Sequence, residues 1–123
     1  MSLEREIKRA IRRLLKELGA SMSAKGFNYA VEAICAGVIN DTPIVKGSKL
    51  CAHWAPVFGD TYARTERALR FVKDTCVLKS GNTPKFTEVF GISSDDCKLH
   101  LYDFLESIRI YISEEMEEEL WRI

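Results

Sequence analysis

Residues 51–73 read CAHWAPVFGDTYARTERALRFVK, and the fold turns on how this stretch is interpreted. Trp54 and Phe58, four residues apart, give a first short helix an inward stripe, and Ala55 supplies the small residue that a close helix crossing needs. Gly59 follows where the chain must turn sharply through a left-handed backbone conformation, which costs any other residue steric strain. Asp60 or Thr61 can cap a second helix. Its inward positions at helical spacing are Thr65, Leu69, Val72 and Cys76, which leaves Arg64, Arg67, Arg70 and Lys73 on or near the outward side with Glu66 beside them. Such a pair of helices is a helix-turn-helix. A cationic face opposite a packing stripe suits the DNA major groove, where an Arg fork bonds guanine O6 and N7 and a Glu accepts from cytosine N4. Taken alone, an Arg-rich amphipathic helix is most often a solvated face. The Ala55 and Gly59 spacing, the cap and the basic face together favour DNA.

Pro56 works against this pattern, because an interior proline removes a backbone hydrogen bond and clashes with the preceding turn at about 3 kcal/mol. Either the first helix is kinked or it begins late enough to place Pro56 near its first turn. The second helix is expected over residues 61–76, and Lys79 to Asn82 form a loop beyond it.

Upstream, Leu3, Ile7, Ile11, Leu14, Leu15 and Leu18 recur at helical spacing, predicting an amphipathic helix over 3–18 closed by Gly19. Its polar face carries Arg5, Lys8, Arg9, Arg12, Arg13 and Lys16. Phe27, Ala30, Val31, Ile34, Cys35 and Val38 predict a second, more buried helix to about Asn40, followed by a turn and a loop over 44–48. Downstream, Thr83 and Pro84 are a cap and first-turn pair for a short helix that stops at Gly91. Ser93 or Ser94 should cap a long last helix with Leu101, Leu105, Ile108 and Ile112 as its stripe. Asp95 and Asp96 fall in its first turn. The acids at 114–119 oppose the helix dipole, so this end should fray or break into a separate turn. No strand pattern is present. The expectation is an all-α chain of about six helices with a helix-turn-helix, of winged-helix-like or response-regulator effector type without a clear wing, forming one domain over 1–123.

At 123 residues, 46% of them hydrophobic and 29% charged, the chain has the composition of one soluble globular domain. The formal net charge of zero is unusual for a DNA-binding domain, but it hides a partition: residues 1–85 carry 15 Lys and Arg against 8 Asp and Glu, and residues 86–123 carry 3 against 10. A basic body therefore precedes an acidic tail. Cys35, Cys51, Cys76 and Cys97 are widely spaced and sit among apolar helical positions, where a thiol packs as a small hydrophobe. His53 and His100 stand apart from any metal-ligating neighbour. No membrane span, glycine-rich phosphate loop or nucleophile elbow is present, so no cofactor, metal or enzyme activity is expected, and a reduced, cytosolic setting is.

The residues also resemble a known family, the C-terminal DNA-binding domain of the sporulation response regulator called stage-zero sporulation protein A. The similarity runs through ELG at 17–19, KGFNYAVEAI at 25–34, ND at 40–41, Ala55, Phe58, Thr61, RTERALR at 64–70, GN at 81–82 and FG at 90–91, covering roughly residues 3–92. It implies a six-helix all-α fold that binds double-stranded DNA. It also implies recognition by paired or tandem copies, including a homodimer on DNA, and contact with an RNA polymerase sigma subunit. By this resemblance Glu66 and Arg67 read bases and Arg64 and Arg70 lie nearer the phosphates; with Thr61, Lys73 and Lys79 they make up the expected DNA-binding set. Pro56 and Tyr62 depart from the family pattern. Family members carry a phosphorylatable receiver domain upstream, for which the sequence from Met1 leaves no room. A second reading keeps the fold as a protein-interaction module in which DNA binding is lost, or is blocked by the acidic tail.

Overall fold

The computed structural model describes residues 2–45, 49–92 and 99–121. Seven helices and no strand occur among them: α1 (Leu3–Glu17), α2 (Lys25–Ile39), α3 (Leu50–Val57), α4 (Tyr62–Ser80), α5 (Pro84–Phe90), α6 (Leu101–Glu115) and α7 (Glu117–Trp121). The all-α expectation is met.

Most boundaries follow from local chemistry. The Ser2 hydroxyl accepts the Arg5 amide at 3.2 Å, Glu4 and Glu6 face the positive end of α1, and Gly19 leaves the helix at φ +102°. Thr83 caps α5 by accepting the Phe86 amide at 3.2 Å, Pro84 opens the helix and Gly91 ends it at φ +73°. The acidic end breaks as expected: α6 stops at Glu115, Met116 is buried, and α7 is a separate turn.

The core is organised around α2, which packs against α1, α4 and α6. Phe27, Ala30, Val31, Ile34, Cys35 and Val38 are all buried, as their spacing predicts, and meet Ile7, Ile11 and Leu15 of α1, Leu69 and Val72 of α4, and Leu105, Ile108 and Ile112 of α6 in one apolar cluster. Each fully buried Ile, Leu or Phe contributes roughly 1.5–3 kcal/mol relative to an exposed one. A clamp fixes the far end of α2. Arg109 of α6, nearly buried, donates from Nε and Nη2 to the two Glu106 carboxylate oxygens at 2.6 and 2.8 Å, and Glu106 also accepts the Ile44 amide at 2.8 Å. Burial works to raise the Glu106 carboxyl, but the Arg109 fork and the Ile44 amide outweigh it and hold it below its ordinary value.

Three expectations are corrected. Leu99 and His100 are not helical and α6 starts at Leu101, so the last helix does not run back unbroken to Ser93 or Ser94. Ser93, Ser94, Asp95, Asp96 and Cys97 lie outside the described residues, as does the loop at 46–48. Lys79 and Ser80 belong to α4 rather than to the loop after it, because the Ser80 hydroxyl donates to the Cys76 carbonyl at 2.7 Å and the helix continues to Gly81. Pro56 is the seventh of eight residues in α3, so the late start does not occur. Lacking an N–H, Pro56 cannot bond the Ala52 carbonyl one turn back.

Candidate nucleic-acid interface

The turn from α3 to α4 is closed by backbone bonds. The Phe58 amide donates to the Trp54 carbonyl at 2.9 Å, Gly59 to Pro56 at 3.1 Å and Asp60 to Ala55 at 2.9 Å. Gly59 adopts φ +66°, the left-handed conformation anticipated for it. Cys51 and Ala55 are the buried residues of α3, whereas Trp54 and Phe58 are half-buried rather than enclosed. Their rings instead build a stack across helices: Tyr29 of α2 lies 3.9 Å from Phe58 with the planes 2° apart, and Trp54 follows at 5.3 Å from Phe58. Stacked pairs of this kind add about 0.5–1.5 kcal/mol beyond their buried area.

Asp60 ties the turn to the start of α2. Its side chain, only 5% exposed, accepts from Lys25 Nζ at 2.6 Å, from the Tyr29 hydroxyl at 2.9 Å and from the Thr61 amide at 2.9 Å. The Lys25 ammonium above all, with the Thr61 amide, lowers the Asp60 carboxyl to about 2. The hydrogen bond to Asp60 raises Lys25, while desolvation and then the bond to Asp60 raise Tyr29. Thr61, not Asp60, is the cap of α4, accepting the Arg64 amide at 3.2 Å.

The inward stripe of α4 is as its sequence predicts, with Thr65, Leu69, Val72 and Cys76 all buried. Opposite it, Arg64, Arg67 and Arg70 are exposed. Arg70 Nε donates to Glu66 Oε1 at 3.1 Å, so Glu66 is paired within its own helix. Lys73 sits at the edge of the face, its side chain 14% exposed and its ammonium 3.1 Å from Asp74. Thr61 and Lys79 are exposed at the two ends, and the Lys79 stem covers Gly19, where an added Cβ would lie 2.7 Å from Lys79 Cβ.

Five residues of this site are outside the set predicted from sequence. Ala24, Lys25 and Gly26 of the α2 start, together with Arg64, Arg67, Ala68 and Phe71 of α4, line a groove of about 400 Å³. Lys25 thus places a cation beside two arginines. A tight helix crossing is made at Gly26, where an added Cβ would lie 2.0 Å from the Ala68 carbonyl oxygen. Phe71 is 59% exposed on the same face. The available signal was the KGF triplet at 25–27, whose glycine sits in the first turn of a helix without a capping role.

The acidic end lies elsewhere. Glu117, Leu120 and Trp121 line a separate groove with Val38 and Ile39 at the last turn of α2, about 18 Å along that helix from Gly26. The arginine face is uncovered by it. Burial raises the thiols of Cys35, Cys51 and Cys76, to about 11 for Cys35 and about 12 for Cys76. Among the described residues no His, Cys, Asp and Glu cluster could hold a metal ion, and no helix is long and apolar enough to cross a membrane.

Neither the curated proteins nor the solved structures gave a match to this chain. The protein-family model described as sporulation initiation factor Spo0A C terminal, a family of DNA-binding regulatory domains and not of enzymes, matches residues 4–112, which take in α1 to α5 and most of α6. With a buried inward stripe, a capped helix after a left-handed turn and an exposed arginine face in the matched span, this chain belongs to the Spo0A C-terminal domain family.

Proposed function

We propose that residues 1–123 act as one sequence-specific DNA-binding domain of a transcription regulator, inserting the first half of α4 into the major groove. The observation that carries this reading is the exposure of Arg64, Arg67 and Arg70 on the face of α4 opposite its buried stripe. Arg67, central on that face and in no ion pair among the described residues, reads a guanine edge. Arg64 and Arg70 flank it toward the phosphates, with Lys25, Lys73 and Lys79 as further backbone contacts and Thr61 fixing the start of the helix. Glu66 accepts from cytosine after giving up Arg70. An exposed pair of that spacing is worth only about 0.3–0.5 kcal/mol, so exchanging it for a DNA contact costs little. Paired copies on DNA and contact with a sigma subunit are the partnerships that family membership suggests.

The test is binding to mixed duplex DNA at several salt concentrations, for the whole chain and for a chain lacking residues 117–123. Affinity should fall linearly in log–log form with salt, by about 0.9 per phosphate contacted, in both proteins. Binding that emerges only after truncation would support an autoinhibitory tail. No binding in either form would favour a protein-interaction module.

A further inference from the structure

We infer that Phe71, with Ala68, reads the 5-methyl group of a thymine within about two base pairs of the base that Arg67 reads. The inference rests on the proposed insertion of α4 into the major groove and adds a specificity-determining residue to it. Arg64, Arg67, Ala68 and Phe71 fall at i, i+3, i+4 and i+7, which is one stripe of a helix, and all four line the same groove. The Phe71 ring, 59% exposed beside these arginines, is open to an apolar group on the ligand side. On the major-groove floor the thymine methyl is the apolar feature, and Ala and Phe side chains are suited to it.

The rise of a helix sets the register. Phe71 lies four residues beyond Arg67, about 6 Å along the axis, which corresponds to roughly two base-pair steps. The thymine should therefore lie within about two base pairs of the guanine whose recognition is lost in Arg67→Ala. Ala68 sits between the two and its short side chain leaves the methyl room to approach. Glu66, Arg70 and Lys73 are placed toward the other edge of α4 and do not compete for this position.

The experiment uses the whole chain and a duplex obtained by selection from a random pool. Each thymine of the selected site is replaced in turn by deoxyuridine, which removes only the methyl, and binding is measured for the parent, Phe71→Ala and Phe71→Leu. One such replacement should weaken the parent about three- to fivefold, the worth of one buried methyl, and should weaken Phe71→Ala, which keeps only Ala68 against that methyl, distinctly less. Phe71→Leu, which keeps an apolar side chain, should retain part of the effect. Thermal unfolding of both variants should match the parent, since the side chain is exposed. The inference is overturned if no deoxyuridine affects the parent, if the loss is the same in Phe71→Ala, or if the selected site has no thymine within that distance. A parent that binds no duplex at all would overturn the DNA-binding reading itself and this inference with it.

Discussion

Gly26→Ala sets two opposite effects against each other at the joint that positions the arginine helix. Alanine is the better helix former by up to about 1 kcal/mol in a helix interior, and less at the second residue of α2, so propensity alone predicts a small gain. Against this, the new Cβ would lie 2.0 Å from the Ala68 oxygen, 2.5 Å from the Ala68 carbonyl carbon and 3.0 Å from Val72 Cγ2. The nearest atoms are backbone, so no side chain can swing away, and α2 and α4 must separate by about 1 Å. Overpacking of this kind costs typically 1–3 kcal/mol or more. The clash should win, leaving a net loss of roughly 1–3 kcal/mol and a fall in Tm of about 4–12 °C. Thermal unfolding followed by circular dichroism reads the first effect. Duplex binding well below the transition reads the second, a loss of affinity from displacing Arg64 and Arg67 relative to Lys25. A variant as stable as the parent, or more stable, would refute the claim that this crossing is tight.

Thr65 is fully buried and its hydroxyl finds no hydrogen-bond partner among the described residues. Thr65→Val, which keeps the shape and removes the unpaired group, should raise stability by about 1–2 kcal/mol in denaturant titration without changing DNA binding. Asp60 ionises at about 2 in the folded chain against an ordinary value of 3.8, so its pairing stabilises the fold above about pH 4 and is lost as pH falls toward 2. Stability measured against pH should therefore fall more steeply over that window in the parent than in Asp60→Asn. Cys35, Cys51 and Cys76, with thiols raised by burial, should react with a thiol reagent at neutral pH far more slowly in the folded chain than in denaturant.

Helix positions were legible where apolar spacing and caps agreed, as in α1, α5 and the start of α4. The start of α6 was not, because Leu101, Leu105, Ile108 and Ile112 mark a buried stripe without saying how far it extends upstream. The turn at Gly59 and the outward placement of Arg64, Arg67 and Arg70 were readable because one short segment encodes both. What escaped were features shared between distant segments. Gly26 meets Ala68, Asp60 bonds Lys25 and Tyr29, and Glu106 accepts the Ile44 amide. Periodicity names the face of a helix, but not the neighbour that face will meet. Glu66 was read as a base contact, although Arg70, four residues later in the same helix, is its ion-pair partner.

The most direct test measures the parent and Arg67→Ala on a selected duplex and on its single-base variants at one fixed salt concentration. The parent should discriminate at every position of the site. Arg67→Ala should lose about 1–3 kcal/mol of binding and become indifferent to the base at one position, while Arg64→Ala should weaken all the duplexes alike. An Arg67→Ala protein that binds as tightly as the parent and ranks the variants identically would contradict the placement of the α4 outer face against base edges.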